Sequence, residues 1–356
     1  MILRLLIVLC AVLVSSQASA DIEEVIAKGT PDEVAGYLGN PDASDMSDAE
    51  ILYTAAQRGR ADIVAFLLKR GIPVNVRGED NRSALSVAIE RGHRDVIELL
   101  LAKGAEIDDA NGFTVLTDAV GAGNKELVDF LLKKGANINA AFCAGDSCVT
   151  PLRLAAQRGN LDLFNYLLER GASPTIALPY DDIDGNLLNS AVYGGNLDIV
   201  TALVAKGFNI HDSEKRLKKS LLASAVNSDS MGVLSVVDYL INSGLDVNYK
   251  DSFRKTVFFD VWTSPYETAE EKAVKVKVLL KLLDRGLRVD DVDEVGNTPL
   301  HHACELGFVE VVRALIAKKA PLGARNTQDE TPIDVARKKE ETEIVSLLEY
   351  AMSKKK

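Results

Sequence analysis

The chain has few of the residues from which reactive or metal-binding sites are built. Its 356 residues include four cysteines, four histidines and one tryptophan. It contains no His-Glu-x-x-His zinc motif, no Gly-x-Ser-x-Gly and no phosphate-cradling glycine loop. The cysteines are also too few for a disulfide framework, so stability must come from a packed core. We therefore predict no catalytic residue, no metal site and no cofactor.

Positive charge is not in excess either. The chain has 41 Lys and Arg residues against 52 Asp and Glu residues, a formal net charge of −11. Such a surface repels phosphate backbones and offers no attraction to anionic membranes. We therefore expect no nucleic-acid partner. The composition, 47% hydrophobic and 26% charged, is that of an ordinary folded protein.

No apolar run is long enough to cross a bilayer, which takes about 20 residues. The run from Leu5 to Val14 follows the basic Arg4 and precedes the small residues that end at Ala20. This layout is typical of a secretory signal peptide over residues 1–20, cleaved after Ala20. We expect a periplasmic or secreted protein without membrane insertion after cleavage.

What the chain does have is a repeat. Apolar residues followed, in most copies, by a basic residue and then by glycine recur with spacings of 31 to 42 residues between the glycines. The glycines that close this pattern are Gly71, Gly104, Gly135, Gly171, Gly207, Gly244 and Gly286. A period near 33 residues indicates an array of small units that stack on one another.

Each unit reads as a pair of short helices. In one unit we predict a first helix over Pro151 to Arg158, ended by Gly159, because glycine adopts the left-handed backbone that closes a helix. The second helix, Leu161 to Glu169, has apolar residues at helical spacing. The polar segments between units are long enough for an extended finger or a hairpin.

The motifs within the units resemble those of the ankyrin repeat family. Gly296-Asn297-Thr298-Pro299-Leu300-His301 matches the motif that opens the first helix in that family, and Gly135-Ala136-Asn137-Ile138-Asn139 matches its loop motif. The resemblance implies an all-α fold, an ankyrin-repeat solenoid of about ten stacked helix-pair units with finger loops. We place the array at 21–350 and a basic tail at 351–356. The units are expected at about 21–46, 47–79, 80–111, 112–147, 148–183, 184–216, 217–252, 253–293, 294–326 and 327–350.

His301, His302 and Cys304 form the densest group of metal-binding residue types. The resemblance assigns His301 to a structural position that bridges neighbouring helix turns, and Ser86 and Thr117 occupy this position in other units. Cys304 falls in a slot filled elsewhere by alanine or valine, so we expect it to be buried. We interpret the group as scaffolding rather than a metal or catalytic site.

Cys143 and Cys148 bracket four residues that include a glycine, a spacing that allows the sulfurs to meet. In an oxidising compartment we expect a disulfide that pins this loop. The alternative is a redox or metal-binding pair, which the spacing disfavours.

The resemblance also implies where a partner protein would bind. In the family, the two residues before each mid-unit glycine project toward a concave face. Here that rule selects Arg58, Arg91 and Arg158, which suit a partner's carboxylates, together with Tyr193. The alternative is that the arginines are solvated helix ends, where a cation suits the helix dipole.

Two departures from the period add candidates for partner binding. One lengthened finger presents Tyr180, and a diverged turn in the eighth unit contains Trp262. Tyrosine and tryptophan are enriched at interface hot spots. Trp262 packed into the seam between repeats is an equally open interpretation.

We therefore predict a non-enzymatic, monomeric scaffold that binds and regulates or sequesters another protein. The alternatives are an inhibitor or immunity protein against a secreted toxin or cell-wall enzyme, and a secreted effector directed at a host. The sequence does not separate these roles.

Overall fold

The structure is a computed structural model. It describes residues 22–38, 46–78, 81–108, 114–144, 147–175, 187–212, 220–251, 255–260 and 268–354. The predicted signal peptide and its cleavage site, Tyr180, and Trp262 lie outside the described residues.

The described helices fall into ten successive pairs, so the predicted all-α arrangement of stacked helix pairs is confirmed. The chain divides into two compact units. Unit 1 comprises residues 1–144, 149–151 and 170–172, and unit 2 comprises residues 145–148, 152–169 and 173–356.

Unit 1 holds the first four pairs. They are α1 (22–28), α2 (Pro31–Leu38), α3 (Asp48–Gln57), α4 (Ala61–Lys69), α5 (Ala84–Arg91), α6 (Arg94–Ala102), α7 (Val115–Gly121) and α8 (Lys125–Lys133).

Unit 2 holds the other six pairs. They are α9 (Pro151–Gln157), α10 (Leu161–Glu169), α11 (Leu187–Gly194), α12 (Leu197–Ala205), α13 (Leu221–Val226), α14 (Val233–Asn242), α15 (Val257–Asp260), α16 (Ala269–Asp284), α17 (Pro299–Glu305), α18 (Val309–Ala317), α19 (Pro332–Lys338) and α20 (Thr342–Ser353).

A serine or threonine cap begins many of the first helices. The Ser47 hydroxyl accepts from the Glu50 amide and the Ser47 amide donates to the Glu50 carboxylate, which forms a capping box at the start of α3. From the N-cap position, Ser83, Thr114 and Thr298 likewise accept from the amide of the third residue of α5, α7 and α17. These side chains satisfy amide groups that the first turn of a helix leaves without partners. These hydroxyls thus fix where α3, α5, α7 and α17 start.

The second helices bury one apolar stripe each. In α10 the buried residues are Leu163, Phe164 and Leu167, and the helix has the predicted bounds Leu161–Glu169. Gly171 follows with φ of 93°, the left-handed conformation that the pattern predicts for the helix-ending glycine. Burial of these stripes against the neighbouring pairs forms the core of each unit.

Asparagine and aspartate side chains join successive finger loops. The Asn75 side chain accepts from the Glu106 amide at 3.0 Å, and the Asp108 carboxylate accepts from the Asn137 amide at 2.8 Å. Asn248 makes two such bonds, one from the Arg288 amide and one to the Gly286 carbonyl. The last polar residue of the loop motif therefore bridges to the following repeat.

The loop between α8 and α9 forms a two-stranded hairpin, β1 (Phe142–Ala144) and β2 (Ser147–Val149). Cys143 and Cys148 lie on the two paired strands, and both are disulfide-bonded. The Arg153 guanidinium donates to the carbonyl oxygen of Cys148, which ties β2 to α9.

None of the helices within the described ranges is long and apolar enough to cross a membrane.

Candidate protein-binding surface

The candidate residues lie where the first helices of the pairs end. A first helix ends shortly before a glycine with positive φ, for example Gly59 at 70° and Gly159 at 62°. The residues just before that glycine therefore occupy a helix terminus rather than the buried stripe. We call these positions the first-helix ends.

In unit 1 the first-helix ends include two of the predicted arginines. Arg58 caps the C-terminus of α3, is exposed, and forms an ion pair with Glu23 at 3.2 Å. Arg91 is the exposed last residue of α5, and its guanidinium makes no hydrogen bond or ion pair within the described ranges. Because α3 packs against α5, the two arginines lie on adjacent helices. The Arg91 guanidinium is therefore available to a partner protein.

A polar network that the sequence reasoning missed lies beside Arg91. Arg82 donates to Glu90 at 2.5 Å and lies 3.5 Å from Asp118, which in turn accepts from the Ser86 hydroxyl. Burial raises the pKa of the Asp118 carboxyl, while the Ser86 bond and the Arg82 charge act in the opposite direction. Arg82 and Asp118 are 36 residues apart in sequence, so only the stacking of α5 on α7 brings them together.

In unit 2 the first-helix ends place Arg158 and Tyr193 on neighbouring turns. Arg158 follows the last residue of α9, and Tyr193 lies in the last turn of α11. Arg158 is exposed, and Tyr193 is half-buried. Neither the Arg158 guanidinium nor the Tyr193 hydroxyl forms a hydrogen bond or ion pair within the portion that the structure describes.

Glycines hold these turns in close contact. A Cβ on residue 194 would overlap the carbonyl oxygen of Ala156 and lie 2.7 Å from the amide nitrogen of Gly159. On the next turn, the Ser228 hydroxyl donates to the Tyr193 carbonyl at 2.6 Å. The turns that follow α9, α11 and α13 are therefore stacked backbone against backbone.

This stacking adds Asp229 to the site, a residue that the sequence reasoning did not select. Asp229 follows Ser228, is exposed, and has no ion pair or hydrogen bond among the described residues. The repeat pattern is interrupted here, because the turn from Asn227 to Gly232 is longer than in most other pairs. Only the observed Ser228 contact could have placed Asp229 beside Tyr193.

The charges around Tyr193 affect its phenol. Burial raises the pKa of Tyr193, the carboxylates of Asp229 and Glu271 raise it further, and Arg158 lowers it. One cation and two anions thus act on the phenol, and its neutral hydroxyl can donate a hydrogen bond.

The group of His301, His302 and Cys304 is a structural element of unit 2. The Nδ1 atom of His301 accepts from the Thr298 amide at 3.0 Å, and its Nε2 atom lies 3.0 Å from the Glu330 carbonyl in the next repeat. The predicted bridging role of His301 is confirmed. Cys304 is fully buried, and burial raises the pKa of its thiol to about 12.

His302 contacts Asp293 rather than a second histidine or the cysteine. Its Nε2 atom lies 2.7 Å from an Asp293 carboxylate oxygen, and its ring packs edge-on against Phe259. Burial lowers the pKa of His302. No group of three or more His, Cys, Asp and Glu side chains suited to a metal ion occurs among the described residues.

Comparisons with known proteins agree with this architecture. The protein-family profile described as "Ankyrin repeats (3 copies)" matches residues 24–111, 52–142, 105–178, 152–251 and 269–355. The chain is 35% identical over 66 residues to the ankyrin repeat-containing protein P1E11.10 of Schizosaccharomyces pombe. That stretch is 18% of this chain and 32% of the yeast protein, so the chain spans about a third of that relative's length.

Among solved structures, the human ASB11 ankyrin repeat domain is similar, with a TM-score of 0.43 and 22% sequence identity. The likeness covers 63% of this chain and 95% of that one.

Proposed function

We propose, on the basis that this chain belongs to the ankyrin repeat family, that it is a periplasmic or secreted scaffold that binds and regulates or sequesters a partner protein. Ankyrin repeats are generally protein–protein interaction scaffolds and typically carry no enzymatic activity. The export part of the proposal comes from the composition of residues 1–20 alone.

One observation carries the binding role. Arg91, Arg158 and Tyr193 have polar groups without hydrogen-bond or ion-pair partners among the described residues, and all three lie at first-helix ends. Some exposed charges on the second helices are paired instead, as Arg94 is with Glu98 on α6 at 2.7 Å. Side chains held at fixed helix ends and left unpaired suit contacts with another protein, where arginine and tyrosine contribute strongly.

The test replaces Arg58, Arg91 and Arg158 with glutamate and compares capture of partners from an envelope extract. A partner that uses carboxylates against these arginines should be lost, because each change puts like charges at the contact. Circular dichroism should show an unchanged fold, since exposed substitutions alter the free energy of unfolding by about 0.5 kcal/mol or less.

The chain offers a matched control. Lys69, Lys103 and Lys206 are exposed at the ends of second helices and make no ion pair within the described ranges. Changing these three lysines to glutamate alters the net charge equally but leaves the first-helix ends intact. Equal capture by both triple variants and the wild type would show that the arginines are solvated helix ends only.

A further inference from the structure

We propose that the part of the surface formed by Tyr193, Asp229 and Glu271 in unit 2 receives a lysine or arginine side chain of the partner protein. This inference rests on the proposed function and specifies the partner's chemistry at one place. At this part of the surface the expected partner group is basic, whereas the arginine positions favour acidic groups.

The backbone contacts fix the geometry. Ser228 bonds to the Tyr193 carbonyl, and a Cβ on Gly195 would lie 2.8 Å from the amide nitrogen of Val233. The segment from Ser228 to Val233 therefore lies directly on the end of α11. Helix α13 also packs against α16, whose first turn contains Glu271. The charges of Asp229 and Glu271 both act on the Tyr193 phenol, so the proposed site draws one group from each of three consecutive repeats.

The chemistry of the three groups favours a cation. Aspartate and glutamate only accept hydrogen bonds when ionised, and a tyrosine ring attracts a cation placed over its face. Asp229 has no cationic partner in the described chain, unlike Asp238, which contacts Lys281 at 2.5 Å and Arg285 at 2.7 Å. An external lysine or arginine would supply the missing positive charge.

Arg158 sets the orientation of the bound segment. It lies on the opposite side of Tyr193 from Asp229, because the turns follow the order α9, α11, α13. A partner's basic side chain is attracted to the Asp229 side and repelled from the Arg158 side. The surface therefore selects a segment with a basic residue at one end of the contact.

Met231 provides a reporter for this site. It is two residues from Asp229 and 47% exposed, whereas Met352, 40% exposed, lies on α20 at the other end of the unit's chain. With methyl-labelled methionine in the full chain, a ligand at the proposed site should shift the Met231 resonance and leave that of Met352 unchanged.

The experiment titrates the chain with a fluorescent decapeptide of alternating arginine and serine, and with the same peptide carrying glutamate instead of arginine. We expect the arginine peptide alone to bind and to shift Met231. Asp229→Asn should raise its Kd about fivefold, which is the upper range for an exposed charge contact. Tyr193→Ala should raise it by a similar factor, and Tyr193→Phe, which keeps the ring, by less than twofold.

Asp284→Asn is the matched control. It removes the same charge from the last turn of α16, about 20 Å along the helix from Glu271. If Asp284→Asn weakens binding as much as Asp229→Asn, the attraction is that of the net negative charge, and the proposal is wrong. Absence of binding, or an unshifted Met231, overturns it as well. A partner captured from the extract by the wild type would still support the proposed function in either case.

Discussion

Gly194 and Gly36 both lie in helices of ordinary backbone conformation, yet their surroundings differ. At Gly194 a Cβ would overlap the Ala156 carbonyl, whereas a Cβ at Gly36 would meet nothing within 4 Å. Glycine in a helix otherwise costs about 0.5–1 kcal/mol relative to alanine. At the residue scale, therefore, the same amino acid is required at one position and replaceable at the other.

The alanine variants should change stability in opposite directions. Gly194→Ala should lower the free energy of unfolding by about 1–3 kcal/mol, because the backbone of two turns must separate. Gly36→Ala should raise it by about 0.5–1 kcal/mol. Urea denaturation followed by circular dichroism measures both. A Gly194→Ala protein as stable as the wild type would contradict the close contact of the turns.

His301 makes stability depend on pH. Burial is the largest effect and lowers the pKa of His301 from 6.5, so on acidification the unfolded chain takes up a proton before the folded chain does. The neutral His301 ring therefore contributes fully to the free energy of unfolding at pH 7, and this contribution is lost as the pH falls below about 6.5.

The variant His301→Asn keeps a polar side chain at this position and removes the titration. It should be less stable than the wild type by about 1–3 kcal/mol at pH 7, and the difference should shrink between pH 7 and pH 5. Urea denaturation at each pH measures the difference. Thr117→Ala is a control in the same slot without a titrating group, and its difference should stay constant. A constant difference for His301→Asn would refute the linkage.

At the scale of the element, the hairpin and the helix ends were predictable from sequence, and the bridges between elements were not. Apolar spacing and the closing glycine act locally and predicted the bounds of α10, and the resemblance of residues 296–301 to the family motif predicted the start of α17. The Arg82 to Asp118 contact and the Ser228 to Tyr193 contact join residues more than 30 positions apart. Their register depends on insertions within the intervening repeat, which a single sequence does not define.

The hairpin predicts a pattern of thiol reactivity. In the folded protein Cys304 should not react at pH 8, because it is buried and its thiol has a pKa of about 12. Denaturation without reductant should expose Cys304 and leave Cys143 and Cys148 unlabelled until a reductant is added. Mass spectrometry of peptides assigns each label to its cysteine. Labelling of Cys143 and Cys148 without reduction would rule out the disulfide.

At the scale of the whole molecule, each of the two compact units is a stack whose stability is a sum over neighbouring pairs within that unit. In unit 2, α17 packs against α19 and α18 against α20. The last pair buries Ile333, Ala336, Ile344 and Leu348 against these neighbours. It therefore closes the apolar face of α17 and α18.

A chain that ends at residue 326 should lose this closure. We expect its free energy of unfolding to fall by about 5 kcal/mol, because each large side chain that is no longer buried contributes about 1.5 kcal/mol or more. Its helix content per residue, measured by far-ultraviolet circular dichroism, should stay close to that of the full chain. A chain that ends at Lys354 is the control. Loss of helix throughout the shortened chain would contradict additive repeats.

The backbone contact between turns in unit 2 has a consequence for selectivity. Side chains in a packed seam adjust by changing rotamer, but two backbones in van der Waals contact have no such freedom. The backbone spacing of Arg158, Tyr193 and Asp229 is therefore set by the glycine contacts and the Ser228 bond between their turns. A partner must match this spacing before it binds. Peptides that carry the right charges shifted by one residue in register should therefore bind weakly.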